Sequence, residues 1–118
     1  MSSKMLGDRG EICAAEYLRS KDYRILACNY RTKTGEIDII ADDHGTLVFI
    51  EVKTRSSARY GSPAEAVHYR KQQKIIQTAY WYLRAHHMES CLCRFDVLEV
   101  YAMNDGWKIH QIKAAFEM

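Results

Sequence analysis

Apolar and polar positions alternate with period two in two short runs near the middle of the chain, and each predicts a β-strand. The first is Gly35-Glu36-Ile37-Asp38-Ile39-Ile40 and the second is Leu47-Val48-Phe49-Ile50-Glu51-Val52-Lys53. Asp42-Asp43-His44-Gly45 lies between them and has turn chemistry. Apolar residues at helical spacing (Ile12, Ala15, Leu18) predict a helix over about residues 8–21, ended by Lys21-Asp22. Tyr23 to Tyr30 reads as a strand. Ser62-Pro63-Ala64-Glu65 carries a helix start: a capping serine, proline at the first helical position and a glutamate completing the capping box. That helix is expected to run to about His86, with Tyr69, Gln72, Ile76, Ala79, Tyr80 and Leu83 on one face. Arg94 to Tyr101 and Trp107 to Lys113 predict two further strands around an Asn104-Asp105-Gly106 turn. The order α-β-β-β-α-β-β predicts a single α/β domain over residues 1–118, a mixed central sheet flanked by helices.

The central hairpin is where the pattern becomes chemical. With His44 and Gly45 as the two loop residues and Gly45 at positive φ, Asp38 lies opposite Glu51, and Glu36 opposite Lys53. Ile37, Ile39 and Ala41 then share one apolar face with Val48, Ile50 and Val52. On the other face Ile40, Leu47 and Phe49 gather near the turn and the charges gather at the far end. Directly opposed residues have Cβ atoms about 5 Å apart, so two carboxylates there repel. A divalent cation between them turns that repulsion into binding. The bland reading is a solvent-exposed hairpin with an ordinary Glu36–Lys53 ion pair. It accounts for that pair and leaves Asp38 beside Glu51 unexplained.

Charge and cysteine content narrow the classes. The 118 residues carry a formal net charge of only +2, so any nucleic-acid surface must come from local clustering. No apolar run approaches a membrane span and the N-terminal Met-Ser-Ser-Lys shows no signal-peptide pattern, so a cytoplasmic protein without membrane association is expected. Cys13, Cys28, Cys91 and Cys93 form no C-x-x-C, and Cys91-Leu92-Cys93 is poor zinc-ligand spacing. They read as reduced thiols. Glu11, at the start of the first helix after Gly7 and Gly10, is a candidate third carboxylate for the site, whereas Glu16 reads as solvated. Asp96, acidic in an apolar strand, is as readily a partner for Arg94 or a loop amide as a catalytic group. Gln72 and Gln73 fall on the apolar side of the second helix and need hydrogen-bond partners there. His44 reads as turn chemistry.

An acidic residue on one strand followed by Glu-x-Lys on the next, here Asp38, Glu51 and Lys53, resembles the PD-(D/E)xK nuclease superfamily. Gly10-Glu11, Asn29-x-Arg31, Gly35-Glu36-Ile37-Asp38, Phe49-Ile50-Glu51-Val52-Lys53-Thr54-Arg55, Tyr60-Gly61, Lys71 and Arg94-Phe95-Asp96-Val97 together look like its YraN-like family of small bacterial proteins. The likeness covers nearly the whole chain, with Ile37-Asp38 replacing the Pro-Asp of the superfamily name. It implies a restriction-endonuclease-like fold, similarity to archaeal Holliday-junction resolvases, and metal-dependent hydrolysis of DNA, branched or junction DNA included. In that mechanism Asp38 and Glu51 hold one Mg²⁺ or Mn²⁺, with the Val52 carbonyl as a further ligand. Lys53 orients or deprotonates the attacking water or stabilises phosphate charge. Glu11 positions the metal or binds a second. Arg55, Arg59 and Lys71 are candidates for DNA backbone contacts, without sequence readout. A homodimer stays open. Two alternatives remain beside this reading: a nucleic-acid-binding module that does not cut, and a protein-interaction subunit with Tyr80, Trp81 and Tyr82 as its contact face.

Overall fold

The computed structural model describes residues 2–56 and 68–118. Helix α1 spans Ser3–Ser20, starting earlier than its apolar spacing predicts because the Ser2 side chain accepts the Met5 N–H and caps it. It ends as expected at Lys21. Asp22 takes φ 66°, and the Asp22 and Tyr23 N–H groups return to the Arg19 and Leu18 carbonyls. This is a left-handed helix stop that turns the chain into the sheet. The strands are β1 (Arg24–Thr32), β2 (Gly35–Asp43), β3 (Thr46–Arg55), β4 (Cys93–Met103) and β5 (Gly106–Phe116), with helix α2 (Tyr69–Ala85) between β3 and β4. The strands lie in the order β1-β2-β3-β4-β5, antiparallel except for β3 and β4, which run parallel. A parallel pair needs a crossover, and α2 lies within that connection. The mixed α/β sheet flanked by helices is therefore as the pattern predicts. Among the described residues, no helix is long and apolar enough to cross a membrane.

Both sheet faces are buried, which is why β2 and β3 read as nearly continuous Ile, Val, Phe and Leu. On one face Ile40, Leu47, Phe49, Phe95 and Val97 pack against Ile75, Ile76, Ala79, Tyr82 and Leu83 of α2. On the other, Ile39, Ala41, Val48, Ile50, Leu98 and Val100 pack against Ala14, Ala15 and Leu18 of α1. The predicted face of Ile37 is corrected here. Ile37 belongs to the α2 core with Ile40, not with Ile39 and Ala41. Strict alternation therefore slips once between Ile37 and Ile40. The β1 residue that lies across from this break is Asn29, at φ 53°.

The second helix is also corrected. His68 is extended (φ −59°, ψ 145°) and α2 begins after it, so Gln72 to Leu83 do not continue an unbroken helix from Ser62. The capping sequence at 62–65 lies outside the described residues. The buried stripe is Ile75, Ile76, Ala79, Tyr82 and Leu83, while Tyr69 and Tyr80 are exposed. With Tyr82 committed to the core, edge-on to Tyr30 and Phe49, the three-residue aromatic contact face reduces to Tyr80 and Trp81.

Gly10 fixes how α1 sits on the sheet. A Cβ at this position would lie 2.0 Å from Thr54 Oγ1, so only glycine lets the helix reach β3 here. The next residue on α1 is Glu11, which this close approach carries to the edge of the central hairpin.

Candidate functional site

The β2–β3 turn is the predicted two-residue loop. His44 and Gly45 both have positive φ, the type I′ geometry, and Asp43 pairs with Thr46. His44 Nδ1 lies 3.0 Å from Asp43 Oδ1, turn chemistry as expected. The register continues as predicted to Ile39 opposite Ile50, where the ladder ends. Asp38 therefore meets β3 by a side-chain bond rather than a ladder bond: its Oδ2 accepts the Val52 N–H at 2.8 Å. Glu36 takes an ion-pair partner on the neighbouring strand, with Oε1 3.2 Å from Nε of Arg31, its β1 register partner.

Four carboxylates thus come from three elements: Glu11 from α1, Glu36 and Asp38 from β2, and Glu51 from β3. Burial, and next the charge of Glu51, push the Asp38 carboxyl up to about 7; the Val52 hydrogen bond opposes this, and Glu11 and Glu36 add to it. Glu11 is also raised, first by burial, then by Glu36, Asp8 and Glu51. With its amide nitrogen turned toward the acids, Asn29 donates to Glu11 Oε1 at 3.0 Å and to Glu36 Oε1 at 3.1 Å. Glu51 is only 8% exposed, and Lys71 Nζ of α2 lies 2.5 Å from its Oε1. Burial disfavours the Lys71 ammonium, but the Glu51 hydrogen bond and charge outweigh that and lift its pKa.

Glu11, Asp38, Glu51 and Val52 line one cleft of about 370 Å³ together with Gly7 and Thr54. On the α2 side, Asp38 and Glu51 also border a smaller cleft of about 160 Å³ with Glu36, Lys71 and Lys74. Among the described residues, no three His, Cys, Asp or Glu side chains form a ready cage for a metal ion. Asp38 and Glu51, with open space beside them, are instead the kind of oxygen donors that suit a hard cation keeping several waters.

The remaining residues separate. Lys53 lies two positions beyond Glu51, half-buried and in register with Glu99 of β4, while Arg55 is in register with Tyr101. Lys71 stands at the acidic centre rather than on an outer rim. Arg59 lies outside the described residues. Asp96 is away from the acidic centre and takes its predicted partner Arg94, while the amide that it accepts from, that of Ala114, belongs to β5 rather than to a loop. Sequence reasoning missed the bridging role of Asn29 and overlooked Glu99. The signal for Glu99 was present, a second acid within the apolar strand Arg94-Phe95-Asp96-Val97-Leu98-Glu99-Val100. The four cysteines are free thiols.

The raised Asp38 pKa predicts a pH dependence for the metal-free protein. At low pH the carboxyl is protonated both folded and unfolded. As pH rises above about 4, the unfolded chain loses this proton while the folded protein keeps it until about 7. Stability therefore falls across that window and levels off above it, by at most roughly 4 kcal/mol for this group. Asp38→Asn stays neutral and can still accept the Val52 N–H. In urea unfolding with chelator at pH 5 and pH 8, wild type should lose roughly 2–3 kcal/mol more than this variant on going to pH 8. Equal losses would show that Asp38 is not under this strain.

Comparison with known proteins adds lineage to this geometry. The model of "Uncharacterised protein family UPF0102" matches residues 10–100. The UPF0102 protein of Alkaliphilus oremlandii is 47% identical over 116 residues, covering 97% of this chain and 99% of its own length. UPF0102 protein STH1475 of Symbiobacterium thermophilum is 50% identical over 104 residues, 88% of each chain. Among solved structures, the crystal structure of SSO0001 is 18% identical, covering 98% of this chain and 54% of its own with a TM-score of 0.43. So loose a likeness carries no fold assignment.

Proposed function

Because the chain belongs to the UPF0102 family, a lineage shared along almost its whole length, we propose that its common chemistry is divalent-metal-dependent hydrolysis of DNA phosphodiesters on a restriction-endonuclease-like fold. The observation that carries this is the cleft lined by Glu11, Asp38, Glu51 and Val52, in which burial and Glu51 lift the Asp38 carboxyl to about 7. Burying the Asp38 carboxyl beside a second carboxylate is costly for the protein alone and suited to a cation. Asp38 and Glu51 would hold Mg²⁺ or Mn²⁺, with the Val52 carbonyl as a further ligand. Such an ion lowers the pKa of bound water and polarises a phosphoryl oxygen.

The chain's own groups divide the remaining work. Asp38 is oriented by the Val52 N–H, which leaves its second oxygen for the ion. Glu11, tied through Asn29 to Glu36, borders the site from the helix side. Lys53 supplies a cation beside Glu51 to orient the water or neutralise phosphate charge. Lys71, already against Glu51, would meet the scissile phosphate rather than a distant one. Arg55 and Arg59 would contact the neighbouring backbone phosphates, which binds DNA without reading its sequence.

Calorimetric titration with Mg²⁺ and Mn²⁺ tests the site without a substrate. Wild type should bind weakly, and Asp38→Ala or Glu51→Ala should each lower affinity at least tenfold. An Asp38→Ala protein that binds either ion as wild type does would refute the assignment.

A further inference from the structure

Glu99 is a carboxylate that the proposed site does not yet use. It is 1% exposed at the centre of β4. His110 Nδ1 on β5 lies 2.9 Å from its Oε1, while its Oε2 has no hydrogen-bond partner among the described residues. Among the described residues, one oxygen of a fully buried carboxylate is thus left without a hydrogen bond, although burying such a group is unfavourable unless it is paired.

The sheet register puts a lysine on the strand position next to it. Glu99 is the parallel Cα partner of Lys53 on β3 and the antiparallel partner of His110 on β5. Neighbouring strands lie about 4.8 Å apart, and in-register residues present their side chains on the same face. Phe95 and Val97 alternate with Glu99 and belong to the α2 core, as does Phe49 in alternation with Glu51 and Lys53. Lys53, Glu99 and His110 therefore issue side by side from the α2 face in a row of positive, negative and titratable groups. A stand-alone Glu99–His110 pair accounts for Oε1 only.

We propose that Glu99 is the positioning residue for Lys53, its carboxylate holding the lysine ammonium beside Glu51 at the candidate active site. The functional part of this rests on the reading of Lys53 given above, and the contact itself does not. Lys53 has a carboxylate two residues behind it along β3 and another across the ladder on β4. Glu51 alone would draw the ammonium into the metal site. A second anchor one strand away keeps it to one side, where it can face water or phosphate without displacing the ion.

A double-mutant cycle tests the contact without any substrate. Thermal unfolding of the metal-free protein is followed for wild type, Lys53→Met, Glu99→Gln and the double variant. Coupling is expected: the double variant should lose clearly less in midpoint than the two single losses together. Additive losses would overturn the proposal. Should Glu99→Gln fail to fold, the cycle is run with Glu99→Met, which fills the same volume without charge.

Cleavage kinetics test the consequence. Glu99→Gln should lower kcat at least tenfold with KM and Mn²⁺ affinity unchanged, and Glu99→Asp should restore part of the loss. Unchanged kcat in Glu99→Gln would overturn the positioning role. If wild type cleaves no DNA at all, the nuclease reading fails while the cycle still decides the contact.

Discussion

Replacing Lys53 by alanine is expected to lower phosphodiester cleavage by about 10²–10⁴-fold, the usual cost of losing a positioned acid–base group, while the protein still folds and still binds its divalent ion. The separation follows from where the groups sit. Asp38 and Glu51 line the cleft with Val52 and Glu11, and in the proposed site they would carry the negative charge that attracts the ion. Lys53 follows two residues later and is not an oxygen donor. Removing a carboxylate should abolish ion binding and chemistry together, and removing the lysine should abolish chemistry alone. The measurement is cleavage of a panel of duplex, single-stranded, flap and four-way-junction DNA with Mg²⁺ and with Mn²⁺, alongside calorimetry on the same preparations. A Lys53→Ala protein that cuts at the wild-type rate would refute the role. Binding of these DNAs by wild type without cleavage would instead mark a non-cutting module.

Asp96→Ala should cost about 3–5 kcal/mol of stability, the range for removing one partner of a buried ion pair, and leave ion affinity at the carboxylate site unchanged. Asp96 is 0% exposed. Its Oδ1 accepts from Arg94 Nε at 2.9 Å and from the Ala114 N–H at 3.0 Å. Its Oδ2 accepts from Arg94 Nη2 at 3.1 Å and Gln111 Nε2 at 2.9 Å. Arg94 also reaches Tyr23 Oη at 2.8 Å and Asp43 at 3.1 Å. This network joins the end of α1, β2, β4 and β5 at the turn end of the hairpin. Alanine removes two of the guanidinium's hydrogen bonds and one of the Gln111 amide's, and it takes the side-chain acceptor from the N–H of Ala114, a residue at φ 50°. Asp96→Asn should cost nearly as much, because its NH₂ would face donors. Urea unfolding gives the loss directly. A loss under about 1 kcal/mol would mean that the network contributes no more than an exposed ion pair.

These two sites differ in how much of them could be read from the chain. The His44-Gly45 loop and the register it imposes as far as Ile39 opposite Ile50 were legible; beyond that pair Asp38 reaches β3 through the Val52 N–H. Loop and register depend on a short turn and on period-two alternation, both local properties of the backbone. The α1 stop at Lys21-Asp22 and the Asn104-Asp105 turn were legible for the same reason. The face of Ile37 was not, because one slip in the alternation across from Asn29 exchanges the two sides of the sheet, and that slip involves a second strand. The start of α2 and its buried stripe were not either: Tyr69, Tyr80 and Tyr82 are equally apolar in sequence, and only packing on Phe49 and Tyr30 selects Tyr82.

By itself, then, the sequence determined the acidic hairpin and the α-β-β-β-α-β-β order. Only the tertiary structure decided what surrounds the acids: Glu11 brought in by the Gly10–Thr54 contact, Lys71 set against Glu51, Asn29 bridging two carboxylates, and Glu99 placed beside Lys53. Each of these joins residues from different elements. Their energetics depend on burial and on charges a few ångströms away, and neither exists until the sheet and its helices have packed.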